Sequence, residues 1–328
     1  MPENTKESIG TGMDEKLVKA LQVRFVKLRF TLDIFEDSVL PRDKVSAIRG
    51  GMGEMLLRLN CVRDRQCGKC DFETECIVQK TMYSKFERKP DFVTTGGSVG
   101  YVLECENYQE NFNAHDKLNF YLILFGKTIV YFNQLYQALS MLGEEGLGKN
   151  YTKYQIIDIR NIEGLSVLEG KMINMDKYVV HSLYDYLMFR IMRIKPVSAK
   201  TEVMMTFDTP LTLKYQQEFL QDFRIDAILG AIRRRIFMLD CFEGIESDIL
   251  EQGVENSMPQ IRRQEHRLAS VSRYSARKDE KMTLRGLKGY VLFEGITEDS
   301  LVLLLTGELI HIGKNTSFGF GRYHLRFF

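Results

Sequence analysis

The sequence lacks any apolar run long enough to cross a membrane. Its longest apolar runs, residues 120–125 and 301–305, are far shorter than the ~18 apolar residues that a membrane-spanning helix needs. Residues 1–15 are polar and contain no apolar core of a secretory signal. We therefore expect a flexible N-terminus and a cytoplasmic protein without a membrane partner.

The sequence also lacks an excess of charge of either sign. Lysine and arginine number 45 and aspartate and glutamate 44, which gives a net charge of +1. A protein that is basic throughout is excluded, so a polyanion must bind where cations cluster locally. The 328 residues, 44% hydrophobic and 27% charged, predict a globular chain long enough for two domains.

A phosphate-binding loop of the Walker A type is absent, although the chain has a glycine-rich segment at residues 313–323. Gly313, Gly319 and Gly321 occur there with Lys314 and Arg322, in a spacing that also differs from the dinucleotide-binding fingerprint. Glycine permits positive φ and leaves room for a phosphate or another chain segment. The segment therefore predicts either an anion-binding loop or a plain turn before an edge strand.

Cysteines are few, but four of the six are clustered. In a cytoplasmic protein such a cluster is more typical of metal binding than of disulfides. Cys61, Cys67, Cys70 and Cys76 have the spacing x5, x2, x5, and a central Cys-x2-Cys turn directs two sulfurs to one point. Four unliganded thiols are the alternative. Among metals the spacing fits structural zinc or an iron–sulfur cluster, and we favour zinc because nothing else in the sequence indicates redox chemistry.

The order of predicted elements repeats once along the chain. Strand, helix, strand, strand, helix, strand occurs over residues 16–195 and again over residues 196–328. This order predicts an α+β protein with tandem ferredoxin-like domains, the cysteine-rich metal module (residues 61–76) being inserted in the first. Local predictions are a bulge at Val26, extra strands and a connector over residues 164–194, and a solvated helix face for Arg233, Arg234 and Arg235.

Several motifs together resemble one family. They are residues 48–53 before the cysteine module, residues 124–126 with Gly143, Gly146 and Gly148, residues 209–211, residues 273–277 with Lys281 and Met282, and residues 311–323. In this order the chain resembles CRISPR precursor-RNA-processing endoribonucleases of the RAMP superfamily, in the branch with a four-cysteine insertion. The resemblance covers roughly residue 21 to the end.

The resemblance implies two RRM-like domains that cut CRISPR repeat RNA in a precursor transcript into guide RNAs. No catalytic metal is expected, and the products would carry a 2′,3′-cyclic phosphate and a 5′-hydroxyl. The partners would be the repeat RNA and subunits of a CRISPR effector complex, with the chain as monomer or homodimer. Other function classes are a non-catalytic RNA-binding subunit of such a complex and a redox or metal sensor that uses the cysteines.

Self-cleavage of RNA needs a base for the 2′-hydroxyl, cations for the phosphate and an acid for the leaving oxygen. Cations and hydroxyls of this kind concentrate in residues 261–288, where lysine and arginine outnumber acidic residues. Family members place a base histidine on the first helix, but residues 41–61 contain none. The catalytic candidates are His311, His266, Tyr274, Lys281 and Arg273, and the RNA-binding candidates are Arg277, Lys288, Gly313, Lys314, Gly319, Gly321 and Arg322.

Overall fold

The computed structural model describes residues 13, 15–65, 67, 70–83, 86, 89–93, 99–198, 200–250, 258–275 and 280–328, and for residues 273–275, 280 and 281 it describes the backbone alone. These residues form two compact units. The N-terminal unit comprises described residues within Phe25–Val180 and Ser272–Met282, and the C-terminal unit those within Met1–Arg24, His181–Val271 and Thr283–Phe328.

The helices and strands follow the predicted order. The α-helices are α1 (Glu15–Ala20), α2 (Val45–Asn60), α3 (Phe132–Glu145), α4 (Leu183–Arg193), α5 (Ile225–Glu243) and α6 (Glu298–Ile310). The strands are β1 (Arg24–Ile34), β2 (Ser38–Val39), β3 (Tyr101–Glu104), β4 (Asn111–Phe112), β5 (Lys117–Phe125), β6 (Tyr154–Arg160), β7 (Leu168–Glu169), β8 (Met172–Ile173), β9 (His181–Ser182), β10 (Val203–Leu211), β11 (Lys214–Tyr215), β12 (Glu218–Phe219), β13 (Gln260–Ser275), β14 (Glu280–Glu294) and β15 (Tyr323–Phe327).

In the N-terminal unit the antiparallel sheet has the strand order β3-β5-β1-β6. The predicted bulge at Val26 is wrong, because Val26 pairs with Leu124 in an unbroken register between β1 and β5. The irregularity lies instead between Thr31 and Leu32, where the register with β6 shifts. Alternate residues of β1, such as Phe30, point into a core that α2 and α3 also line.

Close packing between helices explains one of the glycines in α2. A Cβ on Gly51 would lie 2.5 Å from the side chain of Leu142 in α3, whereas a Cβ on Gly50 would meet nothing within 4 Å. Glycine at position 51 destabilises the helix itself, but no larger residue fits there because α2 and α3 approach closely. The buried residues of α2, namely Ile48, Met52, Met55 and Leu56, recur at the spacing that the sequence predicted.

In the C-terminal unit the sheet has the strand order β13-β14-β10-β15. The strand β10 lies between β14 and β15, and its Met205 pairs with Val291 on β14 and with Leu325 on β15. Both sheets thus place the first strand of a βαββαβ unit between the third and the fourth. The predicted α+β class with tandem ferredoxin-like domains is confirmed. No helix among the described residues is both long and apolar enough to span a bilayer.

Two local predictions are wrong. Residues 164–194 contain not only the β7–β8 hairpin but also α4, which begins with a capping box between Ser182 and Asp185. Arg233 and Arg235 are buried, so the arginine run is not a solvated face. Arg235 donates from Nε to the carbonyl oxygen of Ile310, 3.2 Å away, and so satisfies the C-terminal end of α6.

The compact units also differ from the predicted division at residues 195 and 196. Described residues up to Arg24, and those within His181–Val271 and Thr283–Phe328, group with the C-terminal unit. The reason is that α1 contacts α5 and α4 contacts α6. The contact of α4 includes an ion pair in which Arg190 Nη2 lies 2.7 Å from Glu308 Oε2.

Candidate functional site

The glycine-rich segment forms a loop that runs back along the end of β10. Lys314 N donates to the carbonyl oxygen of Thr212 at 2.8 Å, and Gly321 N donates to that of Pro210 at 3.0 Å. The Thr209 hydroxyl closes the loop, because it donates to the carbonyl oxygen of Gly319 at 2.7 Å and accepts from Arg322 N at 2.9 Å. The loop therefore holds Lys314 and Arg322 at fixed positions beside β10.

The glycines of this loop face backbone of the same chain. Gly313 has φ 83°, and a Cβ there would lie 2.5 Å from the Thr212 carbonyl oxygen. Gly321 has φ 69°, and its Cβ would lie 1.8 Å from the Ile312 carbonyl oxygen. Gly319 has φ 75° at the end of a 3₁₀ turn. Of the two alternatives, these contacts favour the tight turn, since the loop needs glycine for its own closure.

The prediction that His311 takes part in catalysis conflicts with its position. The side chain has 0% exposed surface, and Nδ1 donates to the carbonyl oxygen of Phe320 at 3.2 Å. A fully buried imidazole does not touch a bound RNA. His311 instead ties the end of α6 to the last part of the loop.

Lys314 lies beside an exposed aromatic ring. The Lys314 and Lys214 amino groups lie 5.5 and 5.0 Å from the centre of the Phe219 ring, and Phe219 is 49% exposed. The hairpin β11–β12 that carries Phe219 turns through Gln216 and Gln217, both with positive φ. Two non-glycine residues in the left-handed region are costly, so the hairpin holds this ring at a strained turn.

A second polar cluster lies at the other end of the loop, and the sequence did not predict it. His324 Nδ1 lies 3.1 and 3.2 Å from the two carboxylate oxygens of Asp208. Arg322 Nη2 lies 3.5 Å from Asp208 Oδ2. The register of β10 with β15, in which Thr206 pairs with His324, brings these residues together. Only the strand pairing could have revealed the cluster, because Asp208 is more than a hundred residues from Arg322 and His324 in the sequence.

The cluster adjoins a largely buried carboxylate on α6. Glu308 accepts from Leu325 N at 2.8 Å and pairs with Arg190 of α4. Burial raises the pKa of the Glu308 carboxyl, although Arg190, the Leu325 N–H and His324 act against that shift. The charged groups around His324 are therefore Asp208, Arg322 and Glu308 with its partner Arg190.

The other predicted site residues fall into two groups. His266 Nε2 lies 3.0 Å from Asp222 Oδ1 and its ring packs edge-on against Phe223, while Lys288 is half-buried on β14. Arg277 lies outside the described residues, and so do the side chains of Arg273, Tyr274 and Lys281. The structure therefore does not bring these four together with the loop or separate them from it.

The four clustered cysteines line one small cavity. Its lining residues are Leu57, Cys61, Arg63, Arg65, Cys67, Cys70, Glu73, Cys76 and Gln79, and none of the six cysteines forms a disulfide. In the described part of the chain, no group of three or more histidine, cysteine, aspartate or glutamate side chains is arranged to hold a metal ion. Four thiols around one cavity are the donor type of a thiolate-bound metal site, although they are not arranged around a single point here.

Two family models match separate parts of the chain. Residues 205–323, which span β10, the loop and the start of β15, match the model described as CRISPR-associated endoribonuclease Cas6. Over these residues the chain is similar to the Cas6 family. Residues 21–183 match a second model, the AF_1859_N N-terminal domain. The Cas6 match thus lies over the loop and the strands that carry the two polar clusters.

Similar proteins support the Cas6 fold over nearly the whole chain. A protein of Archaeoglobus fulgidus described as uncharacterized is 23% identical over 309 residues, which are 94% of this chain and 99% of that one. Thermus thermophilus Cas6 superposes with a TM-score of 0.50 at 12% identity over 93% of this chain and 99% of that one. A partial Cas6-RT-Cas1–Cas2 complex gives a TM-score of 0.54 at 11% identity, and this chain spans only 46% of that chain.

Proposed function

We propose that this chain is a Cas6-type endoribonuclease that cuts CRISPR repeat RNA in the precursor transcript and releases guide RNAs. The observation that carries the proposal is the match of residues 205–323 to the Cas6 endoribonuclease model. Those residues contain the exposed Phe219 ring, the loop cations Lys314 and Arg322, and Asp208, and they end one residue before His324. The partners follow from the family: CRISPR repeat RNA first, and subunits of a CRISPR effector complex second.

The Phe219 ring and its two lysines suit single-stranded RNA. An exposed aromatic ring stacks on an unpaired base, and lysines beside it attract the flanking phosphates. The Lys314 backbone is held by its bond to Thr212, so the base of this cationic side chain is positioned before RNA binds. The basic segment of residues 261–288 supplies further cations. Within it Arg277 and Lys288 remain our proposed RNA-binding residues, and Arg273, Tyr274 and Lys281 remain our proposed catalytic residues at the scissile phosphate.

The proposed reaction uses the 2′-hydroxyl of the RNA as nucleophile. Attack on the adjacent phosphorus breaks the bond to the 5′-oxygen and leaves a 2′,3′-cyclic phosphate and a 5′-hydroxyl. This chemistry requires acids, bases and cations from the protein and no catalytic metal ion. It is also restricted to RNA, because DNA lacks the nucleophile.

The activity is tested with purified protein and its cognate repeat RNA in EDTA, with zinc content measured in parallel so that loss of a structural ion is recognised. We expect cutting at one position, with cyclic-phosphate and 5′-hydroxyl ends. An RNA with a 2′-deoxy nucleotide at that position should bind but remain intact. Cleavage that needs added Mg²⁺ and leaves a 5′-phosphate would contradict the mechanism.

A second candidate function is a non-catalytic RNA-binding subunit of a CRISPR effector complex. Two observations favour it: residues 41–61 contain no histidine, and His311 is buried. Under this alternative the same assay gives tight binding of repeat RNA without products under any buffer condition.

Phe219→Ala is expected to weaken binding of repeat RNA by about 5- to 150-fold, which corresponds to the loss of one base–aromatic stack. The measurement is a fluorescence titration with labelled RNA. Phe328→Ala is the matched control, because Phe328 is also an exposed phenylalanine of the C-terminal unit but has no lysine amino group over its ring in the described structure. Equal affinities of the two variants would contradict the proposed stacking surface.

We also propose that Cys61, Cys67, Cys70 and Cys76 hold one structural metal ion, with zinc favoured over an iron–sulfur cluster. Purified protein should contain about one zinc ion per chain, and Cys70→Ser should lose it and melt at a lower temperature. Cys241→Ser, outside the cavity, should keep the metal. Brown protein with a visible absorption band would indicate an iron–sulfur cluster, and metal-free wild-type protein would contradict the proposal.

A further inference from the structure

Three histidines of the described chain pair with an aspartate. They are His115 with Asp33, His266 with Asp222 and His324 with Asp208. The His324 pair differs from the other two by its place: it follows the glycine-rich loop directly, and its aspartate also contacts Arg322 of that loop. A histidine held by a carboxylate beside a cation-bearing loop is the arrangement that acid–base chemistry on a phosphodiester needs.

The geometry fixes which ring nitrogen of His324 is available to accept a proton. The Asp208 carboxylate can only accept, so Nδ1, 3.1 and 3.2 Å from its oxygens, carries the hydrogen. The neutral imidazole then has its lone pair on Nε2, which forms no hydrogen bond to any described residue. Because 38% of the His324 side chain is exposed, a ligand can reach the ring.

The glycine-rich loop links the His324–Asp208 pair to the proposed RNA-binding surface, which consists of Phe219, Lys214 and Lys314. The Asp208 N–H donates to the carbonyl oxygen of Arg322 at 3.0 Å, and the Thr209 hydroxyl then joins Arg322 to Gly319. From there the loop continues to Lys314 beside Phe219. Lys314, beside Phe219, and His324 therefore lie on one short segment of chain, and the proposed path of the RNA runs along it.

We propose that His324 is the general base of the RNA cleavage reaction and that Asp208 is the residue that positions it. The inference rests on the proposed endoribonuclease function. Nε2 takes the proton of the 2′-hydroxyl, the 2′-oxygen bonds to phosphorus, and the bond from phosphorus to the 5′-oxygen breaks. The 5′-oxygen takes a proton from water, and His324 later returns its proton to the solvent.

His324 fits this role better than the histidines that the sequence singled out. His311 has no exposed surface. His266 lies on β13, at the sheet edge opposite β15, and its Nε2 is engaged by Asp222. His324 thus supplies the base that the family places on the first helix and that residues 41–61 of this chain lack.

The test is single-turnover cleavage of repeat RNA by the full-length protein at saturating enzyme. His324→Ala should slow cleavage by at least about 100-fold, with RNA affinity unchanged within twofold. Asp208→Asn should slow it by about 10- to 100-fold, because the amide no longer holds the tautomer, and Asp208→Glu should recover part of the loss. His115→Ala is the control at another His–Asp pair and should cleave at the wild-type rate.

The pH dependence separates a base from a structural residue. In wild type the cleavage rate should rise with pH, and His324→Ala should lose that rise while its RNA affinity and melting temperature stay the same. His324→Ala that cleaves at the wild-type rate overturns the role of His324 and leaves the endoribonuclease function standing. Wild-type protein that binds repeat RNA without cutting it overturns both.

Discussion

Gly321→Ala is expected to lower the free energy of unfolding of the C-terminal unit by at least about 3 kcal/mol. The residue has φ 69°, and a Cβ there would lie 1.8 Å from the oxygen and 2.8 Å from the carbon of the Ile312 carbonyl. These neighbours are backbone atoms and cannot rotate away. The loop must therefore open, and the bonds from Gly321 N to Pro210 and from Ile312 N to Gly321 are lost.

The control for this prediction is Gly244→Ala in the same unit. Gly244 also has positive φ, 92°, but a Cβ there would meet nothing within 4 Å. Its replacement should cost only the left-handed backbone penalty of about 1 kcal/mol. Urea unfolding of both variants measures the difference, and Gly321→Ala should also weaken RNA binding because Lys314 loses its position. Equal losses in the two variants would show that the close backbone contact at Gly321 is unimportant.

Asp240→Asn is expected to abolish a strong dependence of stability on pH. Asp240 lies on α5 with no exposed surface, and burial raises the pKa of its carboxyl to about 8, although the Ser247 hydroxyl donates to it. Between pH 4 and 8 the folded protein therefore keeps a proton that the unfolded chain has released. Stability falls as pH rises through this range and levels off above it, by up to about 5 kcal/mol in total.

The measurement is urea unfolding at pH 5, 7 and 9. Wild type should lose stability at each step, whereas Asp240→Asn, which is neutral throughout, should lose less and be the more stable protein at pH 9. Asp248→Asn is the matched control, because the Asp248 side chain is 60% exposed and should change stability by less than about 0.5 kcal/mol. Parallel pH curves for wild type and Asp240→Asn would contradict the raised pKa.

Element order was predictable from the sequence because most of the main helices and strands have an apolar period. The positions of α2 and β5 follow from such periods, whereas α6 was recognised as a continuous apolar run that is buried on all sides. The helix α4 was missed because its N-terminal signal is local, a capping box between Ser182 and Asp185, and it follows a run of short strands. Arg235 was misplaced because the sequence did not show that the end of α6 approaches its guanidinium.

The site was less predictable than the fold. The glycine-rich loop was recognised by composition, but its contacts with β10 depend on tertiary pairing. The same holds for Asp208 and His324, whose proximity is set by the register of β10 with β15. His311 illustrates the opposite case: its place next to the loop was predicted, and the burial that removes it from the surface was not.

The carboxylate of Glu308 has a consequence for how copies of this chain can associate. β15 is the outer strand of its sheet, and the Leu325 N–H that β10 does not use is taken by Glu308, which Arg190 holds in place. An unpaired backbone N–H on an edge strand can form a hydrogen bond with a strand of a neighbouring molecule. A strand that paired with β15 from a second copy of this chain would first have to displace Glu308 from the Leu325 N–H.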